Sequence, residues 1–265
     1  MSALHIPPLA PETLFHIGSL PITNTIINTW IAAIIFLILG ILISRRVSIR
    51  PGKLQNFSEY ILELIIGYFD QVTGNRKKTL KFLPIAGSMF FFILLSNWLG
   101  LLPGTGSISY EGEMFLRPAN TDLNLTVAMA LVAVATSHLF ALGSIGFFVH
   151  VSKFIQLGNL ARSLKKGPIG IFTALVEFVV GLIEITSELA KVLSLSLRLF
   201  GNIFAGEVLI TVIVSIVGII MPTPFMLLEL LVGLVQAAVF SMLTIVYMTV
   251  SSEAPHGEEA AHSEN

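Results

Sequence analysis

Five long apolar runs, at residues 26–43, 82–102, 123–149, 169–221 and 225–250, constrain this chain more than any other feature it has. A bilayer core about 30 Å thick is crossed by roughly 20 helical residues, so each run is long enough to span. Stretches such as FFFILL and IIFLILGILI are apolar on every side, which suits a helix; strands of a membrane barrel alternate polar and apolar. The expected fold class is therefore all-α: a polytopic integral membrane protein of five to six helices, one membrane domain over residues 1–265. Composition points the same way, because 54% of the residues are hydrophobic and only 12% charged, about half of the charge that a soluble surface carries. A soluble enzyme is set aside on that ground. The formal net charge of −1 offers no basic footprint, so lipid and not nucleic acid is the expected surround. With no cysteine there is no disulfide, thiol nucleophile or thiolate metal site. No Walker A sequence, His-Glu-x-x-His motif or dinucleotide glycine fingerprint occurs either, and neither cofactor, metal nor catalytic residue is expected. The N-terminal MSALHIPPLAPETLFHIG lacks a basic start followed by an apolar core and cleavage site, so the first span is read as retained.

Basic residues give the sidedness. The segment 44–81 holds Arg45, Arg46, Arg50, Lys53, Arg76, Lys77, Lys78 and Lys81, against only Arg117 in the loop 103–122. That makes 44–81 cytoplasmic and the N-terminus external. Lys153, Arg162, Lys165 and Lys166 bring the third crossing back to the cytoplasmic side. The acidic tail 251–265 has neither Lys nor Arg and reads as solvated and disordered; five crossings put it inside, six outside. The choice turns on 169–221, which as one helix makes a rod of about 80 Å and must tilt steeply or break. Within the cytoplasmic segment, Leu54, Phe57, Ile61, Leu64, Ile65 and Tyr68 recur at helical spacing, with Gln55, Glu59 and Glu63 off the stripe. This reads as a surface helix in the membrane interface, or as one packed on another subunit. Gly100-x-x-x-Gly104 has the spacing of a helix-packing motif, but Pro103 favours a turn. No internal repeat is visible, which argues against the usual secondary-transporter plan.

Ionisable groups at membrane depth each cost about 2.5–3.5 kcal/mol on insertion scales, so they mark function by default. The last two runs carry Glu184, Glu188, Lys191, Arg198, Glu207 and Glu229, with Glu177 near the boundary. At 100° per residue from Glu177, residues Glu184, Glu188, Lys191, Arg198 and Asn202 fall within about 60° of one line, while Glu207 lies opposite Arg198. Two separate polar faces result. On the last run Glu229 and Gln236 share a face, and the Gln236 amide needs polar company, for which Arg198 is the natural candidate. Structural readings stand beside these. Glu188 and Lys191, three apart, can simply neutralise each other; Glu177 can be a solvated boundary residue; His138 and His150 can be core or interfacial; Asp122, followed by Asn124, can cap a helix. Arg198 has no acid three or four positions away, which leaves it the weakest structural account.

The stretch SLSLRLFGNIFAGE, residues 194–207, resembles the signature of subunit a of the F-type ATP synthase membrane sector. RPANTDLNLT at 117–126 and LVQAAVFSMLTIVYM at 234–248 are similar to further motifs of that family, in order. The resemblance implies one upright helix, a cytoplasmic surface segment, two further crossings, and a hairpin of two long tilted helices, 169–221 and 225–250, turning at Pro222 and Pro224 against a ring of subunit c. It also implies five passes and a cytoplasmic tail. By resemblance Arg198 is the essential barrier and Gln236 the residue facing it. Asn202, Glu207 and Glu229, with Asp122 and Asn124, line an outer half-channel; Glu184, Glu188, Lys191 and Ser194 lie near an inner one. Several members have histidine where this chain has Glu229, so a relay through two glutamates, sharing a proton if they approach, replaces a histidine-based one. The implied partners are the subunit c ring, the subunit b peripheral stalk and the rest of the ATP synthase, in a bacterial inner membrane or as an organelle-encoded copy. Two other classes remain open at this point: an antiporter complete in itself, and an anchor whose charges only hold helices together.

Overall fold

The computed structural model describes residues 7–45, 47–102, 109–110, 113–147, 168–218 and 222–252. Among the described residues six α-helices follow one another: α1 (Asn24–Ser44), α2 (Lys53–Thr73), α3 (Arg76–Gly100), α4 (Leu123–Ile145), α5 (Pro168–Val217) and α6 (Thr223–Ser252). Among the described residues, five helices are long and apolar enough to cross a membrane: α1, α3, α4, α6 and, within α5, Phe178–Val217. The chain is an all-α polytopic membrane protein. Its α5 is one unbroken helix of 50 residues, about 75 Å long, which answers the choice between tilting and breaking.

Helix boundaries follow local chemistry. Asn75 and Asp122 cap α3 and α4, their side chains accepting from the backbone N–H of Lys77 and Asn124, and Thr23 caps α1 in the same way. Gly74, at φ 62°, ends α2 in the left-handed region, where a residue without Cβ is unstrained. The helix α3 starts at Arg76, not at residue 82 where apolarity starts, because its first turns are basic residues on a helical backbone. Similarly α4 ends at Ile145, short of 149; α5 closes at Val217, short of 221; and α6 covers 223–252, wider than 225–250. Pro224 is accommodated in the first turn of α6, where its missing N–H costs nothing.

Before α1 comes a small antiparallel hairpin, β1 (Thr13–Ile17) with β2 (Leu20–Thr23), and a second pair, β3 (Ser109–Tyr110) with β4 (Glu113–Met114), precedes α4. A 3₁₀ turn, Ala119–Thr121, leads into α4. The expectations for Arg46, Lys153, Arg162, Lys165, Lys166, His150, Pro103, Gly104, the side chain of Glu177 and the tail after 252 lie outside the described residues.

The core belongs to α6. It packs against α3, α4, α5 and α2, and the buried cluster joins Phe69 of α2, Phe82, Phe90 and Ile93 of α3, Ala130 and Ala133 of α4, Leu195 and Leu199 of α5, and Phe240, Ile245 and Met248 of α6. Small residues permit close approach: a Cβ on Gly233 of α6 would stand 3.1 Å from Asn97 of α3, and one on Gly100 would stand 2.6 Å from Pro118. Gly100 is thus the end of α3, held by a turn. The surface helix α2 keeps most of its expected apolar stripe directed outward from this chain. Ile65, Ile66, Phe69 and Thr73 are buried together with Gln55, whereas Leu54, Phe57, Leu64 and Tyr68 are exposed. The buried set lies beside the stripe on one broad apolar arc, and contact with α3 and α6 selects it. Gln55 is drawn in because its amide closes the preceding turn, accepting from Ser48 N–H and donating to Ser48 O, both at 3.1 Å.

Candidate functional site

Helix α5 carries most of the ionisable residues of the last two apolar runs, and its neighbours sort them. Leu195, Ser196, Leu199 and Ile203 are buried in the bundle. Leu193, Ser194, Leu197, Arg198, Gly201 and Asn202 are exposed on the other side. Arg198 therefore sits on the outer surface of the hairpin, among leucines, where its Nη2 donates to Ser194 Oγ of the preceding turn at 3.2 Å. The expected pairing with Gln236 takes another form. Gln236, 4% exposed, accepts from Asn202 Nδ2 at 2.8 Å, one turn beyond Arg198. A short planar amide reaches across the α5–α6 seam, while the long arginine side chain extends away from it.

The seam is antiparallel, as Lys191 over the Tyr247 ring at 5.3 Å, Asn202 against Gln236 and Gly206 against Glu229 establish in turn. Glu229 is 8% exposed. Its carboxyl occupies the place where a side chain at 206 would begin, and its Oε1 is buried with no hydrogen bond among the described residues.

Glu207 points into the bundle, opposite to Arg198 as the helical arithmetic requires. It meets Arg117, whose Nε donates to Oε1 at 2.9 Å and whose Nη2 donates to Oε2 at 3.0 Å. The side chains are 2% and 10% exposed. The sequence leads to the expectation that the two glutamates share a proton if they approach; the structure pairs Glu207 with a guanidinium. Sequence reasoning used Arg117 only to count loop charge. Its signal was its place at the head of the RPANTDLNLT motif, as the sole basic residue of its loop.

Around this end of the bundle runs a polar network. Asn28 Nδ2 donates to Arg117 O at 2.8 Å, Asn120 Nδ2 to Asn97 Oδ1 at 2.6 Å, and Asn97 Nδ2 to Gly233 O at 3.2 Å. Asp122 caps α4 through Asn124 N–H at 2.8 Å and accepts from Thr25 Oγ1 at 3.1 Å. Asn124 itself is exposed. Asn97 and Asn120 were not singled out in the sequence, since neutral polar residues near helix ends carry no signal of burial there.

Toward the other end of α5 lies a second cluster. Glu188 accepts from Lys191 Nζ at 2.6 Å and has His138 Nε2 of α4 at 3.4 Å. The i, i+3 neutralisation thus exists, with a histidine added. Glu184 is half-buried one turn away. Among the described residues no group of three His, Cys, Asp or Glu is arranged to hold a metal ion.

Fold and charges together define a multi-pass helical membrane protein built on a polar two-helix hairpin. The family model described as ATP synthase A chain matches residues 26–249, and the chain belongs to that family. It is 33% identical over 238 residues to ATP synthase subunit a of Moorella thermoacetica, covering 90% of this chain and 94% of that one. Subunit a of Mycobacterium ulcerans is 34% identical over 241 residues, 87% of each chain, and that of Gloeobacter violaceus 34% over 226 residues, 85% of this chain and 82% of the other.

Proposed function

We propose that this chain is the proton-translocating stator subunit of a rotary F-type ATP synthase, offering two offset half-channels to a ring of subunit c. The observation that carries the reading is Arg198. A charged guanidinium on the membrane-facing surface of a spanning helix, bonded among the described residues only to a serine of its own helix, is stable there only if a second chain presents an acid to it. A ring carboxylate is such an acid. Protons enter from outside past Asp122, Asn124, Asn202, Glu207 and Glu229, neutralise that carboxylate, travel with the ring and leave near Glu184, Glu188, Lys191 and Ser194. Arginine suits the barrier because it does not release its proton, yet its charge draws an arriving carboxylic acid into ionising. Gln236, tied to Asn202, keeps the seam beside Arg198 polar. Each translocated charge contributes about 2.3 kcal/mol per 100 mV of membrane potential, so several are needed per ATP. This subunit performs no ATP chemistry.

The relatives named above, all bacterial and all called ATP synthase subunit a, support a multi-pass place in a bacterial inner membrane, with the subunit b stalk as the further partner. Sidedness from basic residues puts the N-terminus outside and the C-terminus in the cytoplasm. An antiporter would work as an isolated chain, and a mere anchor would lose assembly but not transport on neutral substitution.

The test compares wild type with Arg198→Ala and Arg198→Lys in inverted membrane vesicles, recording ATP-driven acidification and then passive proton flux after the catalytic head is removed. Both variants should lose coupled pumping by at least about 100-fold while the alanine variant still conducts passively. Undiminished pumping by either overturns the barrier role.

A further inference from the structure

We propose that Arg117 is a positioning residue that divides the work of the two glutamates: it holds Glu207 as its fixed counter-charge beneath the segment Pro8–Ala10, leaving the Glu229 carboxyl to exchange protons. The inference rests on the outer half-channel reading above and assigns its parts.

Every donor group of Arg117 is committed. Nε reaches both oxygens of Glu207, at 2.9 and 3.1 Å, and Nη2 reaches Oε2 at 3.0 Å. Nη2 also donates to Pro8 O at 2.8 Å, and Nη1 to Ala10 O at 3.3 Å. The Phe204 ring lies 5.9 Å from the guanidinium carbon. The charge of a guanidinium 2% exposed has to be balanced where it lies. Glu207 is the acid bonded to it. A proton placed on Glu207 would leave Arg117 buried and uncompensated, which makes this carboxylate a poor carrier. Two further acids at this end are engaged elsewhere: Asp122 with Thr25 and the α4 N-terminus, and Glu12 with Asn24 Nδ2. Glu229 differs. It rests on Gly206, the neighbour of Glu207 in the chain, and its Oε1 has no hydrogen bond among the described residues. A carboxyl with a free oxygen gains and loses a proton without breaking an ion pair. The bridge from Arg117 to Pro8 and Ala10 also makes the N-terminal segment a cover over that pair, fastened by the same side chain.

The experiment measures passive proton conduction through the assembled complex with the catalytic head removed. Glu207→Gln, Arg117→Gln and Glu229→Gln should each slow it by about tenfold or more, the first two because each strands a buried charge. The double variant Arg117→Gln/Glu207→Gln should regain most of that loss, whereas Arg117→Gln/Glu229→Gln should not. A double variant no faster than Glu207→Gln alone overturns the proposal, because Glu207 then carries protons itself. Where Arg117→Gln prevents assembly, the conservative changes decide: Glu229→Asp should move the dependence of conduction on external pH, and Glu207→Asp should lower the rate without moving it. A profile displaced by Glu207→Asp overturns the proposal. Wild-type conduction by both Glu207→Gln and Glu229→Gln removes the outer path itself, and with it the broader reading.

Discussion

Arg117 and Arg198 carry the same charge in opposite settings. Arg117 is enclosed, with Glu207 and two backbone carbonyls taking its donors; Arg198 is exposed and bonded to one hydroxyl. Arg198 stands out in the sequence because no acid lies one turn away from it. The contact of Arg117 with Glu207 was not legible there, since the two are 90 residues apart and spacing along a helix says nothing about a residue on another segment. Glycine at 206 is informative for what it lacks. A Cβ there would overlap the Glu229 carboxyl, so Gly206→Ala should displace that carboxyl or part α5 from α6, at a cost of about 1–3 kcal/mol. Proton conduction should fall several-fold, while Gly143→Ala, where a Cβ meets nothing within 4 Å, should leave it near wild type. Equal conduction by the two variants would show that Glu229 does not need its seat.

Among the elements, the spanning helices were legible and the surface helix only partly so. Hydropathy located α1, α3, α4, α5 and α6 because insertion energy sums over residues and ignores which neighbour each side chain meets. It misplaced the start of α3, since a helix continues through charged residues wherever water solvates them. Which part of the broad apolar arc of α2 packs on α3 and α6 was not readable, because the charged residues mark only the opposite side. The corner between α2 and α3 also carries a titratable contact. The Thr79 hydroxyl and then the Arg76 guanidinium hold the Asp70 carboxyl below its ordinary value, and Arg76 Nη1 lies 2.6 Å from Asp70 Oδ2. A carboxyl depressed in the folded state stabilises it above the unfolded value, about 3.9, and that contribution is lost as pH falls through the folded value. Asp70→Asn should therefore speed amide hydrogen exchange at residues 70–79 near neutral pH. The difference from wild type should fade in acid, where Asp70 itself is neutral. A difference that persists undiminished below the carboxylate range would sink this account.

At the scale of the whole molecule, α6 joins parts that would otherwise be separate. Phe240 is fully buried in the cluster shared by the helices around it, so Phe240→Ala should cost about 3–5 kcal/mol. Detergent-solubilised complex should melt at a lower temperature and retain less of this subunit, and an unchanged melting profile would show that the core lies elsewhere. The place of the apolar runs and the charges set within them were determined by the sequence by itself, because the cost of putting a group in hydrocarbon belongs to that group alone. That the longest run is one unbroken helix, giving five candidate spans among the described residues where the sequence allowed five or six, was decided by the structure. The expected partners of those charges changed once the helices were packed: Gln236 bonds to Asn202, Glu207 to Arg117, and Glu188 gains His138. Only tertiary structure decided these, because a hydrogen bond between two segments depends on how each helix is rotated against its neighbour, and that rotation is set by the small residues and buried rings of all the helices together.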